Sequence, residues 1–131
     1  MFRDPQPGEI IAVLTPGDPT PSVKRVIAGP NDLVRIGGGH VYVNDVKLYE
    51  PYLAGHTYTQ AEALGPRTRI VSPDCFFVLG DNRMVSADSR MFGALRREHI
   101  IGKILPQSGP DPGSLARQLA DSRSPEEKVA L

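Results

Sequence analysis

The chain has 131 residues, with 15 basic and 15 acidic side chains and no net charge. That length suits one domain with a real core and is too short for two, and the charge balance gives no basic surface for nucleic acid. No apolar run approaches the roughly 20 residues a bilayer crossing needs, and the N-terminus lacks the basic-then-apolar order of a secretory signal. Thirteen glycines, thirteen prolines and no tryptophan favour short strands and many turns over helices.

In chain order, Pro7-Gly8 is a turn, and residues 9–14 (EIIAVL) read as a buried strand. The abrupt start ahead of this strand suggests a chain entered midway through a larger protein. Residues 15–21 (TPGDPTP) are loop by their turn residues. Residues 23–28 (VKRVIA) form a second strand, and alternation puts Lys24 and Arg25 on opposite faces, one toward a site and the other toward solvent. Residues 33–36 and 40–44 flank three glycines and predict a β-hairpin. A turn at Asn44-Asp45 leads to residues 46–48, and residues 49–67 are a polar excursion rich in tyrosine, glycine and proline.

Further strands are expected at residues 68–71, 75–79 and 100–105. Residues 106–112 (PQSGPDP) read as a linker, and Ser114 can cap a short helix running through Ala120. The expected organisation is a mainly β, antiparallel domain over residues 1–106 and a dispensable tail over residues 107–131. The single cysteine, Cys75, begins a strand and reads as a small apolar core residue. With three scattered histidines and no Cys/His spacing, neither a metal site nor another cofactor is expected.

The densest polar cluster is GDNRMVSADSRMFG, residues 80–93, held between apolar strands. A loop so placed is where a rigid scaffold carries a site; taken alone, an Asp/Arg-rich loop is more often a solvated turn. The string itself resembles the most diagnostic segment of the type I signal peptidases, membrane-anchored serine peptidases that remove signal peptides from exported proteins. Residues 7–11 (PGEII), 23–27 (VKRVI), 40–44 (HVYVN), 50–53 (EPYL) and 99–103 (HIIGK) resemble other family segments in order and spacing. The resemblance runs from about residue 3 to residue 105.

It implies an all-β catalytic domain with a Ser-Lys dyad. Lys24 would be the general base and Ser86 the hydroxyl that orients its amine. Gly80, Asp81, Asp88 and Arg90 would support the site, with Gly80 allowing close backbone approach and the charged groups forming ion pairs. Asn82 and Arg83 are read as structural, and Ser89 is not a nucleophile in the family motif. A lysine in this role must be neutral near working pH although its free pKa is about 10.4. Desolvation supplies that shift, and Val23, Val26 and Ile27 are suitable neighbours. The implied substrates are signal peptides of exported preproteins, with small residues before the cut, and the implied location is the extracytoplasmic side of the cell membrane.

The sequence also departs from the family. The usual Gly-Leu-Pro-Gly-Asp turn is here Ala28-Gly29-Pro30-Asn31-Asp32, with Asn31 able to take the glycine's positive φ. Met84 and Val85 stand where polar residues are common. The family's nucleophile lies in a Ser-x-Met-x-Pro segment, and the methionines here are Met1, Met84 and Met91, none in that setting. Its expected position falls before Met1, along with the oxyanion donors and the membrane anchor. The 131 residues as written are therefore expected not to cleave peptides by the family mechanism. Two other readings are open to the sequence. The first is a non-catalytic relative that binds extended peptides through its β edges. The second is a self-cleaving repressor, disfavoured by the residue 80–93 string and by the lack of a DNA-binding helix pair.

Overall fold

The computed structural model describes residues 3–55, 57–62 and 67–104; the expected linker and capped helix lie outside them. The architecture is mainly antiparallel β, as the sequence predicts. Among the described residues, nine strands form two sheets: β1 (Ile10–Val13), β2 (Ser22–Ala28), β3 (Leu33–Gly37), β4 (His40–Val43), β5 (Val46–Lys47), β6 (Thr68–Ile70), β7 (Cys75–Leu79), β8 (Leu95–Arg96) and β9 (Ile100–Ile104). The first sheet runs β8-β7-β2-β1-β9 and the second β5-β4-β3-β6.

Turn chemistry sets the second sheet. The hairpin β3–β4 closes on Gly38 and Gly39, both at positive φ, and β4–β5 closes on Asn44 and Asp45, also both positive. Two consecutive positive φ values match the right-handed strand twist, which is why glycine and Asn/Asp serve at these corners. Asn31 takes φ 69°, the left-handed conformation expected of the turn before β3. Asp32 holds that turn by accepting from the Gly29 amide at 2.9 Å.

The two sheets pack through one core. Ile27, Phe77 and Leu79 of the first sheet meet Val34, Ile36 and Val41 of the second. The opposite face of the first sheet carries a separate cluster, including Ile11, Val13, Val26, Phe76 and Val78. β2 is therefore a central strand covered on both faces, and every residue from Val23 to Ala28 is buried. The expectation that one of Lys24 and Arg25 reaches solvent is wrong: both are 3% exposed. Alternation still separates their faces, but in this strand neither face is wet.

Elements the sequence reading omitted lie between β7 and β9. Residues Ser89–Phe92 form a single α-turn, β8 pairs with the start of β7, and a 3₁₀ turn spans Arg97–His99. Cys75 is a half-buried free thiol at the start of β7, packed against the intersheet core.

Candidate active site

The site grows from the register of β2 on β7. Arg25 pairs with Leu79 and Val26 with Val78, so β7 ends beside the Lys24-Arg25 pair and the chain leaves the sheet at Gly80. The loop that leaves β7 at Gly80 then turns back over the end of the strand. Lys24 Nζ donates to Ser86 Oγ at 3.1 Å, joining residues 62 apart in the chain. Lys24 shares its face of β2 with Val26, and Ile11 is its partner across on β1, so an apolar wall lies along the aliphatic stem.

Ion pairs hold the loop. Asp88 is fully buried, and one carboxylate oxygen accepts from Arg90 Nε at 2.9 Å while the other accepts from Arg90 Nη2 at 2.8 Å. The same carboxylate accepts from the amides of Gly80 and Arg90, both at 3.1 Å. It therefore closes the loop on itself and caps the α-turn. A buried carboxylate with four donors satisfies the demand that buried charge be paired and hydrogen-bonded.

Asp81 is not part of that pair. It accepts two parallel bonds from Arg25, Nε to Oδ1 at 2.9 Å and Nη2 to Oδ2 at 2.7 Å. Arg25 also donates to the Gly8 carbonyl at 2.8 Å, and its guanidinium lies 3.7 Å above the Tyr52 ring. Arg25 is thus a support of the loop, although alternation along the strand had suggested that it reaches solvent.

Arg83 ties the polar excursion to the loop. Its side chain is wholly buried, donating to the Gly80 carbonyl at 2.8 Å, to Thr59 Oγ1 at 3.1 Å and to Glu50 at 2.6 Å. Tyr52 donates to the same Glu50 at 3.3 Å. Burial, reinforced by the Glu50 carboxylate, pushes the Tyr52 phenol up to about 12, against the opposing pull of Arg83 and Arg25. Arg69 adds a further clamp, donating to the carbonyls of Ser89 and Arg90 at 2.9 and 2.7 Å; burial holds its guanidinium below the usual arginine value. Ser89 Oγ accepts from the Val78 amide at 2.9 Å in a fully buried position, so its hydroxyl is committed to holding the loop to β7.

The structure thus brings Lys24, Ser86, Gly80, Asp81, Asp88 and Arg90 into one neighbourhood. Sequence reasoning missed Arg25, Glu50, Tyr52, Thr59 and Arg69. Glu50 and Arg83 are 33 residues apart and Arg25 and Asp81 are 56 apart, beyond any local pattern. The available signals were the charged pair embedded in an otherwise apolar strand and the EPYL segment at residues 50–53.

A cleft of about 490 Å³ opens beside Ser86. Met84, Val85, Met91 and Tyr58 line it and are at least half exposed, while Asp88 and Arg90 form part of its floor. The departures at Met84 and Val85 therefore leave apolar side chains facing solvent at the mouth of this cleft.

Residues 1–106 match the family model described as signal peptidase, peptidase S26. The chain is 38% identical over 118 residues to a probable signal peptidase I-2 of Synechocystis, covering 85% of this chain and 51% of that protein. It is 42% identical over 93 residues to signal peptidase I of Bacillus caldolyticus, covering 63% of this chain and 50% of that one. A crystal structure of a signal peptidase I from Enterococcus faecalis V583 superposes with a TM-score of 0.68 at 33% identity, over 80% of this chain and all of that one. The chain spans about half the length of the curated relatives it matches. With the β architecture, the residue 80–93 loop and these matches agreeing, the chain belongs to the signal peptidase family, peptidase S26.

Proposed function

We propose that this chain carries the base half of a type I signal peptidase, with Lys24 as general base and Ser86 as the residue that orients it. The observation that carries the reading is the contact of Lys24 Nζ with Ser86 Oγ at 3.1 Å from a strand position 3% exposed. Removing water from an amine disfavours its ammonium form, and a neutral amine is what a serine hydroxyl needs as its proton acceptor. Lys24 would take that proton as the serine oxygen attacks the scissile carbonyl carbon, and return it to the departing amine nitrogen. Water would then hydrolyse the acyl-enzyme by the same route.

The serine would come from the family's Ser-x-Met-x-Pro segment, which the 131 residues do not contain. The substrates would be exported preproteins, cut on the extracytoplasmic side of the membrane to which an upstream anchor holds the domain. Asp81 with Arg25 and Asp88 with Arg90 would fix the loop that presents Ser86. Joining a Ser-x-Met-x-Pro segment in frame ahead of Met1 and measuring cleavage of a signal-peptide substrate tests the reading. Cleavage by the extended chain and none by Lys24→Met supports it; full cleavage by Lys24→Met sinks the assignment of the base.

A further inference from the structure

We propose that the cleft beside Ser86 is a subsite for an apolar side chain of the departing segment, the part of the substrate that follows the scissile bond. The inference rests on the proposed function and adds to it which stretch of substrate the cleft reads and what chemistry it prefers.

Three observations carry it. The first is size: about 490 Å³ falls within the roughly 300–1,000 Å³ of ligand-binding clefts. The second is chemistry. Met84, Val85 and Met91 are 73%, 61% and 63% exposed, and Tyr58 is 52% exposed, all on the rim of one cleft. Clustered exposed apolar side chains mark contact surfaces, and flexible thioethers adapt to varied partners, as a cleft meeting many different protein sequences must. The two guanidiniums lining the cleft make no demand for an anionic ligand, because Arg90 is paired with Asp88 and Arg83 with Glu50; the further charged group on the lining is the Glu62 carboxylate.

The third is position. Ser86 lines the cleft and also touches the Lys24 amine. In acyl transfer the base hands its proton to the leaving nitrogen, so the leaving chain passes beside this pair. A cleft lined by Ser86 together with Met84, Val85 and Met91 would receive the residues attached to that nitrogen. Its far wall is fixed by the second sheet. The Thr59 amide donates to the Gly39 carbonyl at 2.9 Å, and the Tyr58 ring lies so close over Gly39 that a Cβ there would fall 2.4 Å from it. Glycine at the hairpin tip thus sets how far Tyr58 stands from Met84 and Met91.

The experiment needs no turnover. The chain's three methionines are Met1, Met84 and Met91, so methyl-labelled methionine places two of three probes on the cleft. The 131-residue chain is titrated with a ten-residue signal-peptide junction carrying Leu, or in a second peptide Ala, in the two positions after the cut. The Met84 and Met91 methyl signals, assigned with Met84→Leu and Met91→Leu, are expected to shift saturably, with the Leu peptide half-saturating at about tenfold lower concentration. Tyr58→Ala should reduce that preference to about twofold or less. Methyl signals that do not move, equal affinity for the two peptides, or an undiminished preference in Tyr58→Ala would each overturn the subsite. Because Met84 is exposed, Met84→Ser offers a second variant that leaves the core untouched, and it should weaken the preference likewise. The cleavage test of Lys24→Met judges the base independently, so failure of the cleft and failure of the dyad are told apart.

Discussion

Arg25 and Asp81 meet through two parallel hydrogen bonds of 2.9 and 2.7 Å, with the arginine side chain 4% exposed and the aspartate side chain 16%. This pair joins the middle strand of the first sheet to the first residue of the loop after Gly80. It lies on the face of β2 opposite to Lys24, so it pins the loop from behind while Ser86 reaches the lysine in front.

Removing one partner of such a pair leaves the other buried without compensation, which typically costs about 3–5 kcal/mol. Asp81→Ala is therefore expected to lower the stability of the chain by about 3 kcal/mol, read as a lower urea midpoint at unchanged slope. Replacing the pair by apolar residues at both positions should recover much of the loss. A midpoint shift below the experimental error for Asp81→Ala alone would show that the pair does not hold the loop.

At Lys24, stability and activity are expected to respond on different scales. Lys24→Met keeps a side chain of similar length in a buried position while removing its hydrogen bond to Ser86, so the chain should still fold. In the chain extended by a Ser-x-Met-x-Pro segment, the same change should lower cleavage by at least about 10²–10⁴-fold, the usual worth of general acid-base catalysis. Ser86→Ala should lower kcat by roughly 10²-fold with little change in KM. Thermal unfolding of both variants beside the rate measurements separates the two effects.

Glu9 gives a dependence on acid. Its partial burial pushes the carboxyl up, but the hydrogen bond with Lys103, the Gln6 amide and the charges of Lys103 and Arg3 outweigh this and hold it below its ordinary value of 4.5. The unfolded chain therefore binds the proton more readily than the folded one. Stability from this group is complete above the ordinary carboxylate value and is lost as pH falls through the lowered folded value. Urea midpoints of the natural chain and Glu9→Gln should differ at pH 7 and converge toward pH 3. A gap that stays constant over that interval would rule the carboxylate out as the source.

Gly39 is a position where space and backbone both exclude a side chain. Its φ is +84°, and an added Cβ would lie 2.4 Å from the Tyr58 ring. Gly39→Ala should destabilise the chain by about 1–3 kcal/mol and shift Tyr58 fluorescence as the ring is displaced. Gly38→Ala, also at positive φ but with nothing within 4 Å, should be the milder change by the same measurements.

Much of the β architecture was legible because its signals are local. The strand at residues 10–13 shows as an apolar run, and the β3–β4 and β4–β5 corners show as Gly-Gly and Asn-Asp where two positive φ values are needed. The fate of Arg25 was not legible. Alternation describes the two faces of a strand, but whether both are covered depends on β7 and the excursion at residues 49–62, which arrive later in the chain. The α-turn at Ser89–Phe92 was missed because four residues carry no period, although Asp88 before it is a regular N-cap. At the candidate site, the motif pointed to Lys24 and Ser86; Glu50 lies in the EPYL segment, which resembles the family without naming a partner for its carboxylate, and Thr59 and Arg69 come from segments with no such resemblance.

The contact between Lys24 and Ser86 is made within residues 24–86, and the ion pairs around it close by Arg90. On the proposed function, these residues assemble the scaffold that would hold the base, and the nucleophile would be carried on a short segment that need only be brought alongside. Fragment complementation tests that proposal: a serine delivered on a separate peptide should meet an amine held beside Ser86, and mixing the two pieces should give cleavage that neither gives alone.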